Sequence, residues 1–583
     1  MNQRTGDNFN SPVLLLCWDL TNREAQPEPD VDGAAPWHPP SSEDWVWTAG
    51  YIANRSELLN QLAGHEAIDD RQIVYHLYCR QGIRATTSIA GTLAWVLWDS
   101  QRRELILTRD RIGNHNFYFA TLNGKLWVTN RLETLLELEI FPRTPNPRSV
   151  VAHITGHAPL VGETFYDTIR ELAPGSWMRI QGHKPETGRY WQIEAQPVLK
   201  LASDEDYARA LWELLFRLAA ECAPAGQAYI TLSGGIDSTS LAAAIRHAAP
   251  NTSLSAFCWS APELPEADES SDSAEVCRFL DIPSEEIRAD LLWPLSRPDG
   301  IHTPATMPFY AYYSELIDET FKRLQGRSSN ILLTGMSGDH LFGGNVFAYP
   351  DLLLSGRWAE LTRQMRYHLP RSATGLSLFQ IIRRMILTPI REAYLPGWRA
   401  GAALPAPWLR PPFTELFPTE IGRPPDRRWM LPGRVGRLRM LSHPSLPRQV
   451  EAMNQLAARR GVEFRHPLLD HRLIEFALSL PTDQTFRASQ RKIILRNAMR
   501  GLLPDKVLDR WTKIYPTAIL HRGLREREQA KVWPLMSHMR AAEMGFVDER
   551  KLRGAYQDYL DGKTEDTLFW HTLTLEDWLR RWF

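Results

Sequence analysis

The residues with the clearest chemical potential form one short run, Ser233-Gly234-Gly235-Ile236-Asp237-Ser238. Ahead of it, Tyr229-Ile-Thr-Leu232 is apolar and β-prone and reads as a buried strand that the serine and glycines break. Behind it, Ser238 to His247 reads as a helix that turns Ala242, Ala243 and Ala244 toward a sheet. Strand, Gly-rich turn and helix start together make an anion site, because converging backbone N–H groups and the helix dipole favour phosphate oxygens. Gly234 and Gly235 let the backbone approach, Ser233 and Ser238 offer hydroxyls, and Asp237 is placed to hold a magnesium ion. The stretch Asn330-Ile-Leu-Leu-Thr334-Gly335-Met336-Ser337-Gly338-Asp339 repeats this logic, with a buried strand ending in Thr334-Gly335 and an Asp in the Gly-rich turn that follows.

Such loops need a sheet to hold them. After the first loop's helix, Leu254 to Ser260 reads as a strand and Ser271 to Leu280 as a helix, while Asp204 to Ala223 is an amphipathic helix ahead of it. That alternation predicts a doubly wound parallel sheet with ligand at the carboxyl ends of its strands. The first third reads differently. Val13–Leu20, Trp45–Ile52, Ile89–Asp99, Glu104–Asp110 and Phe117–Ala120 read as strands, Ser56–Leu62 and Arg71–Gln81 as helices, and two stacked sheets are expected. Gly175 to Lys200 reads as a linker-like return with a strand at Arg189–Ile193.

Composition narrows the class. A chain of 583 residues allows two to four domains. Its net charge of −1 argues against nucleic-acid binding by bulk charge. The five cysteines are scattered without a Cys-x-x-Cys pair, so neither zinc nor a disulfide framework is indicated, and a reduced cytoplasm is expected. The apolar run Val13–Trp18 is cut by Asp19, too short for a signal peptide or a membrane span. Residues 351–448 are rich in Arg, Pro and Trp and hold no Lys. The arginines there (Arg383, Arg384, Arg427, Arg428, Arg434, Arg437, Arg439) are read as a solvated face in preference to a site for an acidic peptide or phosphate.

The Ser-Gly-Gly-x-Asp-Ser run resembles the pyrophosphate loop of ATP pyrophosphatases, which cleave ATP between its α- and β-phosphates, and lacks the Lys of a Walker A loop. Further motifs resemble the asparagine synthetase family: Gly50-Tyr-Ile-Ala-Asn54, Arg109-Asp-Arg-Ile-Gly113 and Phe165-Tyr-Asp-Thr-Ile-Arg-Glu-Leu-Ala-Pro-Gly175 its glutaminase domain, and Arg465-His-Pro-Leu-Leu-Asp470, Lys492-Ile-Ile-Leu-Arg496 and Arg510-Trp-Thr-Lys513 its synthetase domain. The resemblance implies an α/β fold of two parts. Residues 1–195 would form a degenerate glutamine amidotransferase-like domain, an α+β Ntn-hydrolase-like sandwich. Residues 200–583 would form a doubly wound ATP-pyrophosphatase domain with helical additions. It also implies ATP and Mg2+ as cofactors. Asp237 and Asp339 would hold the metal, Lys513 would meet the α-phosphate, and Leu232, Ser233, Gly234, Gly235, Asp237, Ser238, Thr334 and Gly335 would contact the nucleotide.

Departures from the family pattern bear on function. Active glutaminases carry a cysteine after the initiator Met as an N-terminal nucleophile, where this chain has Asn2. Ala49 replaces an Asn and Tyr51 a Glu, and Cys17 is expected to be a core cysteine rather than a substitute. The first domain is therefore expected not to hydrolyse glutamine, and the nitrogen should be an amine on the substrate itself. Met336 stands where asparagine synthetases place Glu and β-lactam synthetases a Tyr base, and His340 stands where a Glu would follow Asp339. A peptide α-amine, with a pKa of about 7.7–8.0, has least need of a dedicated base. The favoured expectation is thus a lasso-peptide cyclase that closes a macrolactam on a leader-free core peptide, with a leader peptidase and a leader-recognition protein as implied partners. A β-lactam-synthetase-like or other amide ligase is the alternative, and an inactive scaffold the third.

Overall fold

The structure is a computed structural model describing residues 13–20, 29–32, 35–62, 69–296, 304–309, 311–344, 348–372, 377–394, 406–416, 430–488, 490–510, 514 and 516–583. Among the described residues ten strands build the first part: β1 (Val13–Asp19), β2 (Pro29–Asp32), β3 (Trp45–Ala49), β4 (Ala94–Asp99), β5 (Glu104–Thr108), β6 (Tyr118–Leu122), β7 (Lys125–Thr129), β8 (Arg170–Glu171), β9 (Ser176–Gln181) and β10 (Lys184–Arg189). They form two antiparallel sheets, β2-β1-β7-β6-β8 and β10-β9-β5-β4-β3. Period-two patterning explains their stacking. On β1 Leu14, Leu16 and Trp18 point inward and meet Trp47, Trp98, Leu105 and Met178 of the other sheet, while Leu15 and Cys17 face the opposite side. β4 is buried along its whole length because Trp95 and Leu97 pack outward on Val74 and Leu77 of the helix Asp70–Gln81. Asp69 caps that helix, and Gln72 reaches back to the Asp69 N–H at 2.8 Å in a capping box.

Two expectations for this part are corrected. The stretch read as a linker begins with the hairpin β9–β10, and the chain leaves strand geometry at Arg189 where Arg189–Ile193 was expected to enter it. Alternating side chains on Ser176–Gln181 let β9 pair with β5, a long-range contact invisible in local composition. Cys17 is half-buried on the outward face of β1, and is not a core residue.

The second part is organised by five parallel strands: β11 (Gly226–Leu232), β12 (Thr252–Ser260), β13 (Ser284–Arg288), β14 (Ile331–Thr334) and β15 (Glu463–Arg465). Their order is β13-β12-β11-β14-β15, so the sheet reverses direction of growth between β11 and β14. At such a switch point the loops leaving two neighbouring strands splay apart and leave a crevice beyond their carboxyl ends. Here those loops are the two Gly-rich runs. Thr231 pairs with Thr334, which brings both loops to one level. A further hairpin, β16 (Phe486–Arg487) with β17 (Gln490–Arg491), lies apart from the sheet. Among the described residues no helix is long and apolar enough to cross a membrane.

The arginine-rich region is only partly a solvated face. Arg383 and Arg384 are exposed, whereas Arg434 and Arg437, on the helix Pro432–Leu441, are buried. Arg437 donates to the carbonyls of Ala477 and Leu480 at 2.6 and 3.1 Å and to Thr485 Oγ1 at 2.8 Å, and Arg434 donates to Leu478 O at 3.1 Å. These carbonyls lie at and just past the end of the helix His471–Ser479, where backbone donors are few, and the guanidinium forks add donors to those that remain. Arg427 and Arg428 lie outside the described residues.

Candidate active site

β11 ends at Leu232, the chain turns through Ser233–Gly235, and the helix Ile236–Ala248 starts at once, with Ala242 to Ala244 buried on the sheet as expected. Inside the turn the Ser233 N–H donates to Ser238 Oγ at 3.1 Å and the Gly235 N–H to Ser233 Oγ at 3.2 Å. The two serines thus brace the loop from within. Gly235 caps the helix without a side chain, which leaves first-turn N–H groups directed out of the helix start toward an anion. At Gly234 a Cβ would stand 2.6 Å from Asp272 Cβ and 3.0 Å from the Arg510 guanidinium. That crowding has a purpose. Arg510 donates to Gly234 O at 3.3 Å and pairs with Glu269 at 2.9 Å and Asp272 at 3.1 Å, tying the segment after residue 510 to the loop.

The second loop leaves β14 at Thr334. A Cβ on Gly335 would lie 2.5 Å from the backbone of Ser238, so the two loops touch there. The family's Gly-x pattern reads Ser337-Gly338 here, and the turn survives the exchange. Ser337 takes the left-handed conformation at φ 73°, which costs a non-glycine residue about 1–2 kcal/mol. Gly338 has another role, since a side chain there would overlap the Asp237 carboxyl group. Asp339 follows in the first turn of the short helix Gly338–Phe342.

The two carboxylates meet on a residue that the sequence reading had not put in the site. Lys492 Nζ lies 2.5 Å from Asp237 Oδ2 and 2.7 Å from Asp339 Oδ1. Lys492 follows β17, its N–H donates to Thr485 O at 2.7 Å, and its backbone is left-handed at φ 60° and ψ 40°. A buried lysine held in a strained conformation between two acids marks a functional position. The signal in the sequence is the run Lys492-Ile-Ile-Leu-Arg496, which carries the family resemblance without assigning the lysine a role.

These elements enclose a cavity of about 370 Å3. Leu232, Ser233, Gly234, Gly235, Asp237, Ser238, Thr334, Gly335 and Asp339 all line it, so the structure brings together every expected site residue it describes. Lys513 lies outside the described residues, while its chain neighbours Arg510 and Ile514 line the cavity. Phe257 and Trp259, at the end of β12, give an aromatic wall, and Arg491, Lys492 and Arg496 a basic one. The guanidinium of Arg496 is held by Arg510 O at 2.9 Å and by Leu508 O, and burial pulls its pKa down. Met336 and His340 complete the rim. The donor set fits magnesium. Among the described residues no cluster of three or more metal-ligating side chains occurs, yet two hard carboxylates on separate loops come within reach of one cation. Magnesium is bound in this way by one or two carboxylates, with phosphate oxygens and water completing the shell.

Of the positions in the first part that depart from the family pattern, Asn2 lies outside the described residues. Ala49 ends β3, and Tyr51, half-buried, holds its ring 4.2 Å beneath the Arg465 guanidinium of the second part. With Ala53, Gly91 and His466 among others, Tyr51 lines a small cavity of about 20 Å3 between the two parts. Burial pushes the Cys17 thiol up, away from the thiolate that a nucleophile needs.

Comparison with known proteins agrees with this geometry. Residues 226–580 match the asparagine synthase family and residues 22–191 the glutamine amidotransferase domain family. "Amidase chry2" of Gibberella zeae is 23% identical over 85% of this chain and 78% of its own length. A "Putative asparagine synthetase [glutamine-hydrolyzing]" of Mycobacterium tuberculosis is 27% identical over 83% and 77%. A solved glutamine phosphoribosylpyrophosphate amidotransferase of B. subtilis covers 56% of this chain and 70% of its own, at 10% identity and a TM-score of 0.22, too low to weigh. The chain belongs to the asparagine synthase family, as an asparagine synthetase-like, ATP-dependent amide ligase.

Proposed function

We propose that the enzyme closes a macrolactam ring on a lasso-type peptide, joining the α-amine of a leader-free core peptide to an internal Asp or Glu side chain. The observation that carries this reading is Tyr51. Its ring lies against the Arg465 guanidinium of the second part at a position where active family members carry a Glu, which, together with Asn2 in place of the nucleophilic cysteine, supports a first domain that supplies no ammonia from glutamine. The amine must then arrive on the substrate.

ATP and magnesium are the cofactors of this reading. The peptide carboxylate attacks the α-phosphorus and pyrophosphate departs. The amine then attacks the acyl carbon, the tetrahedral carbon collapses with AMP as leaving group, and the amine proton passes to water. The metal, when bound, supplies positive charge for the phosphate oxygens. The chain's own residues do the rest. Loop N–H groups and the Ser233 and Ser238 hydroxyls orient the phosphates, and Phe257 and Trp259 offer a face to the adenine. Lys513 is assigned to the α-phosphate, where an ammonium in a dry site stabilises charge that grows in the transition state. Met336 can abstract no proton, which suits an amine already partly neutral near pH 7.5. Five free cysteines suit a reducing cytosol, where a leader peptidase and a leader-recognition protein would deliver the substrate.

His340, on the cavity rim beside Asp339, favours a second reading. A histidine base would serve an amine of higher pKa, as in an intramolecular ligase of β-lactam-synthetase type. The test is ATP–pyrophosphate exchange and mass spectrometry on linear peptides with an internal Asp or Glu, with free or acetylated N-termini. Expected are exchange with both and a product one water lighter, with equal AMP and pyrophosphate, only when the amine is free. Water loss from the acetylated peptide, or ADP as product, would exclude macrolactam closure by this route.

A further inference from the structure

We infer that Lys492 is a built-in counter-ion which holds the Asp237–Asp339 pair ready in the nucleotide-free enzyme and surrenders it only when metal and polyphosphate arrive together. The inference rests on the reading of those aspartates as the metal ligands and goes beyond it, to the order and coupling of binding.

Two carboxylates drawn onto one spot repel each other, and a cation between them lifts that repulsion. The Lys492 ammonium touches one oxygen of each. It is delivered from outside the sheet, by the hairpin β16–β17, and its side chain is only 8% exposed. Magnesium would draw on the same two carboxylates, and a dication there would be repelled by an ammonium already hydrogen-bonded to both. Free metal therefore meets two acids whose charge is already half compensated, and must displace a buried ammonium that pairs with no other acid among the described residues. Arg491, Arg496 and Arg510 line the same cavity, so expulsion without an added anion would only gather cations. A polyphosphate changes the balance. Its oxygens accept the displaced ammonium and help to hold the metal, so each ligand strengthens the other.

The test is binding of Mn2+, followed by electron paramagnetic resonance, to the full chain without nucleotide and with α,β-methylene-ATP, which cannot release pyrophosphate. Wild type should take Mn2+ weakly alone and at least about tenfold more tightly with the analogue, a coupling of ordinary size. Lys492→Met should bind Mn2+ alone at least about tenfold more tightly than wild type and lose most of that coupling. Lys492→Arg, which keeps a cation in place, should resemble wild type for free Mn2+ and guards against a Met variant that folds poorly. Equal affinity of wild type and Lys492→Met for free Mn2+, with tight binding of both in the presence of the analogue, would overturn the counter-ion role and leave the metal site standing. No Mn2+ bound by any variant even with the analogue would overturn both.

Discussion

At the residue scale the reaction rests on charges placed by different stretches of chain. Asp237 and Asp339 are 102 positions apart, and Lys492 arrives from a third region. Asp237→Asn or Asp339→Asn should lower ATP–pyrophosphate exchange by about a hundredfold or more with circular dichroism unchanged, because each removes a charge that the phosphates' counter-ions require. Near-normal exchange with an unaltered magnesium dependence in either variant would show that the metal sits elsewhere. Lys513→Ala should lose a similar factor in product formation, on the order seen when one charge-stabilising donor is removed. Apparent ATP affinity should fall much less, since the interaction strengthens as charge develops. Lys513→Arg should restore little, because a planar guanidinium does not reproduce a compact ammonium.

Elements turn these residues into a site through close backbone approach. Gly338 shows how tight that approach is, since any side chain would collide with the carboxyl group of Asp237. Gly338→Ala should therefore reduce exchange activity strongly and lower stability by about 1–3 kcal/mol, the usual cost of overpacking. Gly554, exposed in the helix Glu549–Leu560 with nothing within 4 Å of where its Cβ would stand, is the contrasting case. Gly554→Ala should leave activity unchanged and raise stability by about 1 kcal/mol through helix propensity. Thermal melts of the two variants side by side decide the matter, and equal effects would remove the steric account of the loop. The buried arginines make a related point. Arg437 donates to carbonyls at the end of a neighbouring helix and to Thr485 just before β16, so an Arg-rich composition that suggests an exposed face is in part packed inside.

Over the whole molecule the two parts are joined by buried polar contacts. Arg448 pairs with Glu171 at 2.7 Å and Glu451 at 3.0 Å, Tyr118 donates to Glu451 at 2.5 Å, and Asn454 donates to Asn114 O at 3.1 Å. The first domain is held by these contacts against the helix Ser445–Arg459. It should release no glutamate from glutamine, and Cys17→Ala should leave ligase turnover as it was; glutaminase activity lost with Cys17 would contradict a first domain that lacks the glutaminase nucleophile. The C-terminal helices carry a pH dependence of their own. Glu528 is 2% exposed, accepts the Leu295 N–H at 2.8 Å, and burial raises its carboxyl from 4.5 to about 7. The folded state thus holds this proton more tightly than the unfolded chain does. The resulting stability is complete below about pH 4.5 and is lost as pH rises through about 7, on the order of 3 kcal/mol in all. Glu528→Gln, which mimics the protonated form, should match wild type in urea melts at about pH 5 and exceed it above about pH 8. Parallel pH profiles of the two would show that Glu528 stays ionised in the fold.

Much of this was legible in the sequence because the signals are local. Strand, Gly-rich turn and small-residue helix specify the loop at Ser233–Ser238 within a dozen residues, and short apolar, β-prone runs announce β1, β4 and β11. The absence of Cys at position 2 and of Glu at position 51 is likewise plain from the chain itself. What only the tertiary structure decided are the long-range pairings. β9 and β10 belong to a sheet because β5 is there to receive them, Cys17 faces outward because Leu14, Leu16 and Trp18 claim the inner face, and Arg434 and Arg437 are buried because a helix end nearby needs donors. Lys492 became a site residue by the same route. Its partners lie 255 and 153 positions away, and a charge finds its role by what the fold places within 3 Å of it, which no local spacing encodes.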